Sequence, residues 1–301
     1  MFLCCFAKIR KIIMIYFAPA KINLALDILS KEKNGFHLIE SVYQTISLYD
    51  RISVDQLKNR SGKSNIVFTG DESDLISKED NTVLKAIKLL NEKQKFKNDY
   101  NILVEKNIPI GAGLGGGSSD AATIIKALNK LESMNLSSEE MRKIGAKIGA
   151  DVPLFIEKGT SFGTHYGEKI TLLPDLNELS EWGKKYKILV IPPTEKRKKT
   201  AERYASVDTN LTGKNKAKTD AMIKAINNGD ADAVIKNMHN DFEIFAGPEF
   251  EKTKDVLLKN GALLALLCGS GTAVFAISNK PFDAASLSRV LPNQRILNLN
   301  Q

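Results

Sequence analysis

The sequence predicts an α+β protein of two domains. Apolar residues alternate with polar ones over several segments, as in half-buried strands, whereas other segments repeat their apolar residues at helical spacing. A polar stretch that contains Pro174 and Asp175 interrupts both patterns over 173–182. At 301 residues the chain is long enough for two cores of ordinary size. We therefore expect an N-terminal domain at 15–173 and a C-terminal domain at 174–301.

The first half alternates strand and helix patterns. The expected strands cover 15–30, the segments 42–48, 52–54 and 66–68 as an antiparallel meander, 100–105, and an apolar run after Asp151 at 152–156. The expected helices cover 81–95, the stretch from Ser118 to Leu131, and 137–148, where Ser137 and Glu140 have the spacing of a capping box.

The second half has the same mixed character. Strands are predicted at 186–191, 262–267, 272–278 and 295–299, and helices at 220–227, 230–245 and 249–259. Gly269-Ser270-Gly271 lies between two of these strands and is typical of a hairpin turn. A lysine-rich segment from 196 to about 218 is expected to be exposed.

The first fourteen residues do not share these patterns. An apolar run at 2–7 precedes Lys8, Arg10 and Lys11, the reverse of the order in a secretory signal. We expect residues 1–14 to be a disordered extension, or the product of an upstream start codon.

Composition and charge restrict the class of function. No apolar run approaches the roughly 18 residues of a membrane span, so no membrane association is expected. Cys4, Cys5 and Cys268 are too few and too poorly spaced for a zinc site or a disulfide framework, which favours the cytoplasm and predicts no metal held by cysteine. The net charge of +8 is spread over many lysines without interleaved aromatic residues. It therefore favours a polyanionic small substrate over a nucleic-acid partner.

A glycine-rich loop leads directly into a helix. Its sequence is Pro109-Ile110-Gly111-Ala112-Gly113-Leu114-Gly115-Gly116-Gly117-Ser118-Ser119. Glycines let an anion approach backbone N–H groups, and a serine N-cap followed by a helix start adds a second anion-binding feature. The loop therefore predicts a phosphate site. Its spacing also satisfies a dinucleotide fingerprint, whereas Gly117 at the lysine position excludes a Walker A loop.

A polar pair on the first strand and a carboxylate further along the chain are candidates for chemistry. Lys21 and Asn23 share one face of the first strand, where they point either to solvent or into a cleft. Asp151 is either a turn residue or a base that accepts a proton from a substrate hydroxyl, with a nearby lysine keeping it ionised. The sequence alone does not bring Asp151 to Lys21. His37, which follows the Asn34-Gly35 turn, has no special signal by itself.

Three separated pieces occur together in this chain: Ala18-Pro19-Ala20-Lys21-Ile22-Asn23-Leu24, the glycine-rich loop, and Gly269-Ser270-Gly271. Together they resemble the GHMP kinase superfamily, named for galactokinase, homoserine kinase, mevalonate kinase and phosphomevalonate kinase. Gly35-Phe36-His37 and Gly149-Ala150-Asp151-Val152-Pro153 narrow the resemblance to a branch in the non-mevalonate isoprenoid pathway. The resemblance runs from Tyr16 to the end. It implies a two-domain fold, each domain a mainly antiparallel sheet with helices packed on it.

The resemblance also implies an activity and a set of roles. ATP is the phosphoryl donor, its phosphates lie in the loop at 109–119, and the acceptor is a hydroxyl of a small molecule carrying a cytidine diphosphate group. Asp151 is the implied base and Lys21 orients the hydroxyl and holds Asp151 charged. Asn23 and His37 contact the acceptor, and Phe36 stacks on its cytosine. Mg²⁺ is held mainly through ATP, with loop hydroxyls such as Ser118 or Ser119.

Two departures from that family's pattern concern Phe36, where tyrosine is usual, and Cys268, where serine or threonine is common. The alternatives are a kinase for another small alcohol such as homoserine, and a non-catalytic RNA-binding or regulator-binding protein on the same scaffold. The expected assembly is a monomer or a homodimer.

Overall fold

A computed structural model describes residues 13–57, 64–76, 81–178, 182–193 and 200–299. Residues 1–12 of the extension expected at 1–14, Cys4 and Cys5, and residues 196–199 of the lysine-rich segment lie outside these ranges. Residues 13 and 14 belong to the first strand, so the extension was predicted two residues too long. Within them, none of the helices combines the length and the apolar character that a membrane crossing requires.

Strands form two separate sheets. In chain order they are β1 (Ile13–Lys31), β2 (His37–Leu57), β3 (Asn65–Thr69), β4 (Asp99–Glu105), β5 (Thr160–Thr164), β6 (Lys169–Leu172), β7 (Lys187–Ile191), β8 (His239–Asn240), β9 (Leu264–Leu267), β10 (Val274–Ser278) and β11 (Leu297–Asn298). The larger sheet has the order β3-β4-β2-β1-β8, with β5 beside β2 and β6 beside β5. The smaller has the order β11-β7-β10-β9. Most pairings are antiparallel; β3·β4 and β1·β8 are parallel.

Helices connect and cover the sheets. They are α1 (Thr82–Lys93), α2 (Gly116–Leu131), α3 (Ser138–Ala146), α4 (Val152–Glu157), α5 (Trp182–Lys185), α6 (Thr200–Ala205), α7 (Lys216–Asn227), α8 (Ala231–Lys236), α9 (Pro248–Lys259) and α10 (Ala284–Val290). The α+β class expected from the sequence is confirmed. The domain boundary at 173/174 stays a prediction.

Local signals positioned several helices correctly. Asn81 caps α1 by accepting hydrogen bonds from the N–H groups of Val83 and Leu84, and Ser137 with Glu140 forms the capping box of α3. The apolar faces of α1 and α2 then pack on the larger sheet, in a core that includes Leu90, Ile124 and Leu128.

Four predicted elements were wrong. The segments at 42–48 and 52–54 belong to one strand, β2, because a bulge opposite Pro19 and Ala20 bends the strand without ending it. The expected meander is broken because β4 lies between β2 and β3. The apolar run at 152–156 is the helix α4, buried against α2 and α3, with Pro153 in its first turn. The helix expected at 230–245 divides into α8, β8 and a 3₁₀ turn.

Candidate active site

A cleft of about 1110 Å³ lies beside β1 and the start of α2. The glycine-rich loop forms one side of it, and the residues singled out in β1, the turn before β2 and the start of α4 reach it from the other side. All of the predicted site residues line this cleft except Ser119. The fold therefore collects side chains that are far apart in the chain.

The backbone of the glycine-rich loop has a conformation that requires glycine. Gly111, Gly113 and Gly115 have φ of +68°, +84° and +73°. A Cβ on Gly113 would lie 1.7 Å from the carbonyl oxygen of Cys268, and one on Gly271 would lie 2.2 Å from the carbonyl oxygen of Ala112. The loop is thus pressed against a second glycine turn from the far end of the chain.

That second turn is the hairpin turn between β9 and β10, as the sequence predicts, and it also belongs to the cleft. Its position is held by a hydrogen bond from the N–H of Ala273 to the carbonyl of Ala112, at 3.3 Å. A Cβ on Gly269 would lie 2.9 Å from Nζ of Lys21. Glycine at this position therefore leaves the room that the lysine side chain occupies.

The helix start differs from the sequence prediction. The N-cap of α2 is Gly115 in the left-handed region, so Ser118 and Ser119 lie within the first helical turn. Ser119 is fully buried, and its Oγ has no hydrogen-bond partner among the residues that the structure describes. The first N–H groups of α2 have no partner within the helix. A bound phosphate would accept hydrogen bonds from these N–H groups.

Lys21 and Asp151 come together in this cleft. Nζ of Lys21 lies 3.6 Å from Oδ2 of Asp151. The Lys21 side chain is 5% exposed and that of Asp151 is 33% exposed, so the pair joins a buried cation to a carboxylate that substrate can reach. Asp151 occupies the N-cap position of α4, yet its side chain makes no capping hydrogen bond. Its oxygens remain available for another proton donor.

Asn23 is buried and bonded within the protein. Its Oδ1 accepts a hydrogen bond from Nζ of Lys21 at 2.7 Å, and its Nδ2 donates to Oγ of Ser41 at 2.8 Å. Lys21 and Asn23 therefore point into the cleft from β1, which decides against the alternative of a solvated strand face.

Two tyrosines that carried no sequence signal stand near this pair. Nζ of Lys21 lies 5.5 Å from the ring centroid of Tyr43. Burial, and then the charge of Asp151, raise the pKa of Tyr43 and of Tyr204 well above the usual value. Both phenols are thus protonated at neutral pH. Tyr204 comes from α6 in the second half of the chain, and only folding brings it to the cleft.

Aromatic side chains line one end of the same cleft. Phe36 follows a turn in which Oδ1 of Asn34 accepts a hydrogen bond from the N–H of Phe36. The residue is 62% exposed, and the centroid of its ring lies 5.2 Å from that of Tyr166. His37 is buried, and its ring lies 5.2 Å from that of Tyr204. Neither ring nitrogen of His37 has a hydrogen-bond partner among the described residues. Burial, and then the charge of Lys31, lower the pKa of His37, so the ring is neutral at pH 7.

A buried charge cluster lies at the root of the glycine-rich loop and was also missed. Nζ of Lys106 donates to Oδ2 of Asp50 and, at 2.6 Å, to Oδ2 of Asp120. Oδ1 of Asp50 accepts from the N–H of Asn107 and of Ile108, at 2.6 and 2.8 Å. Burial raises the pKa of Asp120 against the opposing effect of the lysine. The cluster ties the chain on both sides of the loop to β2.

Comparisons with known families and proteins agree with this geometry. Residues 81–159 match the family described as GHMP kinases N terminal domain, and residues 222–296 match GHMP kinases C terminal. The chain is 36% identical over 270 residues to the 4-diphosphocytidyl-2-C-methyl-D-erythritol kinase of Caldicellulosiruptor bescii, covering 89% of this chain and 90% of the relative. It is 38% identical over 261 residues to the enzyme of the same name from Clostridium tetani, covering 86% and 88%.

Solved structures have the same fold. The crystal structure of a 4-(cytidine 5'-diphospho)-2C-methyl-D-erythritol kinase superposes with a TM-score of 0.73 at 25% identity, over 95% of this chain and 98% of the other. The homoserine kinase from Cytophaga hutchinsonii superposes with a TM-score of 0.71 at 17% identity, over 96% of each chain, and shows the fold alone.

Proposed function

Because the chain belongs to the 4-diphosphocytidyl-2-C-methyl-D-erythritol kinases of the GHMP superfamily, we propose that it transfers the γ-phosphoryl group of ATP to the 2-hydroxyl of that cytidyl alcohol. The single observation that carries the proposal is the Lys21–Asp151 pair, 3.6 Å apart beside the glycine-rich loop. The enzyme is an ATP-dependent phosphotransferase of isoprenoid biosynthesis.

The proposed chemistry assigns the proton to Asp151. As the 2-hydroxyl oxygen forms its bond to the γ-phosphorus, a carboxylate oxygen of Asp151 takes the hydroxyl proton, and the bond from that phosphorus to the bridging oxygen breaks. ADP leaves with the electron pair. Lys21 holds its positive charge 3.6 Å from that carboxylate and beside the reacting oxygens.

The glycine-rich loop fits a triphosphate. Residues 109–119 offer left-handed glycines, the first N–H groups of α2, which have no partner within the helix, and the hydroxyl of Ser119, which has no partner among the described residues. No group of three or more histidine, cysteine or acidic side chains within the described ranges could hold a metal by itself. We propose that Mg²⁺ is held mainly through ATP, with Ser118, which lines the cleft, or the buried Ser119 as a protein ligand. When bound, it neutralises charge on the phosphates.

The aromatic side chains at one end of the cleft favour an acceptor that carries a cytidyl group. In the proposed complex Phe36 stacks on the cytosine, and neutral His37 offers one donor and one acceptor to its polar edge. Asn23 contacts the acceptor next to Lys21. The proposed enzyme acts in the cytoplasm as a monomer or homodimer, with no nucleic-acid partner.

Asp151→Asn tests the role of the base. We expect the kcat to fall by about 10²–10⁴-fold, because the amide cannot accept the proton, while the KM for ATP stays within a few fold. A variant with unchanged turnover would remove Asp151 from the mechanism.

An acceptor panel tests the substrate. Purified protein with γ-labelled ATP is offered the cytidyl alcohol, homoserine and mevalonate in parallel. We expect labelled product with the cytidyl alcohol alone. Label on homoserine alone would establish the alternative kinase, and salt-sensitive RNA binding without any ATP turnover would favour a non-catalytic protein.

A further inference from the structure

A chain of three buried hydrogen bonds leads from the backbone of β1 to Lys21. Oγ of Ser41 donates to the carbonyl oxygen of Ala25 at 2.6 Å, Nδ2 of Asn23 donates to Oγ of Ser41 at 2.8 Å, and Nζ of Lys21 donates to Oδ1 of Asn23 at 2.7 Å. Ser41 is 0% exposed, Asn23 1% and Lys21 4%. All three side chains are therefore largely shielded from bulk solvent.

The chain has one direction only, which follows from the number of protons. A serine hydroxyl has a single hydrogen, and the carbonyl of Ala25 can only accept, so that hydrogen points at Ala25 and the neighbouring phenol of Tyr43 is left to donate. Oγ of Ser41 therefore offers a lone pair to Asn23, and the amide must present its NH₂ group there. The same orientation turns Oδ1 of Asn23 towards Lys21.

The reverse amide orientation is unfavourable at both ends. It would place the NH₂ group of Asn23 against the ammonium of Lys21, donor against donor, and would place Oδ1 against the oxygen of Ser41 with no hydrogen between them. In a buried network each such mismatch leaves polar groups unsatisfied. The hydroxyl of Ser41 on β2 thus determines that the oxygen of the Asn23 amide, and not its NH₂ group, is directed at Lys21.

The position of Nζ decides the geometry of the proposed reaction. An ammonium has three hydrogens: one points at Oδ1 of Asn23, and the others are left for Asp151, 3.6 Å away, and for the bound reactants. The ammonium group of Lys21 lies at the end of a flexible four-carbon side chain, so a fixed acceptor is needed to hold Nζ in one place.

We propose that Ser41 is a positioning residue for the reaction: through the amide of Asn23 it fixes the ammonium of Lys21 beside Asp151. The inference rests on the proposed function, because it assumes that Lys21 and Asp151 serve phosphoryl transfer. Ser41 does not touch either substrate and acts through two intervening side chains. Asn23 accordingly has a role towards Lys21 in addition to any contact with the acceptor.

The test replaces Ser41 and a matched serine. Ser161 is also fully buried in the same sheet, on β5 opposite Tyr43, and its Oγ has no hydrogen-bond partner within the described part of the chain. In Ser41→Ala we expect the kcat to fall by about 10–10²-fold, as for small misplacements of a reacting group, with the KM for ATP within about twofold. In Ser161→Ala both constants should stay within about twofold of wild type.

Two further variants separate positioning from simple loss of stability. Ser41→Cys fills nearly the same space but is a weak donor and acceptor, so its kcat should fall although no cavity forms. The double variant Ser41→Ala/Asn23→Ala should turn over no more slowly than Asn23→Ala alone, because both changes interrupt one chain. Thermal unfolding of each variant confirms that the assay temperature lies below its transition.

The variants test the positioning role of Ser41, and their outcomes are distinguishable from a failure of the proposed function. A kcat within about twofold of wild type in both Ser41→Ala and Ser41→Cys overturns the positioning role, as does a double variant whose losses multiply. If wild type phosphorylates an acceptor other than the cytidyl alcohol, the proposed substrate fails, and the same comparison is made with the acceptor that the panel identifies.

Discussion

Replacing Lys106 by methionine would leave two buried carboxylates without their cation. Lys106 lies between Asp50, which is fully buried, and Asp120, which is 2% exposed. Methionine keeps most of the length of the side chain and removes the charge. The change therefore tests how much the cluster at the root of the glycine-rich loop contributes to the folded state.

The expected loss of stability is large. Removing one partner of a buried ion pair typically costs about 3–5 kcal/mol. Asp50 keeps its hydrogen bonds to the N–H groups of Asn107 and Ile108, and Asp120 can take up a proton, so we expect the lower part of that range. At about 2–4 °C per kcal/mol for a chain of this size, the Tm should fall by roughly 6–12 °C.

Thermal unfolding with an exposed-pair control measures the effect. Arg51 and Glu105 pair across β2 and β4 with side chains 40% and 37% exposed, and Arg51→Met should cost no more than about 1 kcal/mol. Lys106→Met should also recover part of its Tm between pH 8 and pH 5.5. A buried carboxyl with a raised pKa binds its proton more tightly in the folded state, so stability grows as the pH falls. A fall in Tm no larger than that of Arg51→Met would refute the reasoning.

Three other outcomes are expected. Gly113→Ala should raise the KM for ATP at least about tenfold and lower the Tm, because φ is +84° and the new Cβ would overlap the carbonyl of Cys268; ATP kinetics equal to wild type would contradict this. Phe36→Ala should raise the KM for the cytidyl acceptor by roughly 5–150-fold, the loss of about 1–3 kcal/mol of stacking, with the KM for ATP unchanged as the internal control. His37 has a lowered pKa, so its proton binds more weakly in the folded state and stability is lost as the pH falls below about 6.5. His37→Gln should therefore lose less Tm than wild type between pH 7.5 and pH 5.5, and an equal loss would show that the ring does not contribute.

Local patterns predicted much of the fold because they act over a few residues. The cap at Asn81 and the capping box at Ser137 each depend on groups within one turn, and the helices α1 and α3 begin where these signals place them. The apolar run at 152–156 failed as a signal because a short stretch buried on all sides has no period to distinguish helix from strand. Only its packing against α2 and α3 made it helical.

The same distinction between local and long-range signals applies to the site residues. The glycine-rich loop was recognisable because its chemistry is contiguous, whereas Tyr204 and the Lys106 cluster carried no comparable pattern. Ser118 and Ser119 were assigned to the N-cap because serine is a common cap, whereas Gly115 occupies it in a left-handed conformation, where a Cβ would lie 2.8 Å from the ring of Phe155.

By itself the sequence determined the types of residue that this chemistry needs: the glycines at 111–117, Lys21, Asp151 and the aromatic turn at 36–37. Tertiary structure alone decided that Nζ of Lys21 meets Asp151, that Asn23 turns its carbonyl to that ammonium, and that the second glycine turn closes on the loop. The reason is physical. Each of these contacts joins segments distant along the chain, and their geometry comes from the register of β1 with β2 and from buried packing, which no local spacing encodes.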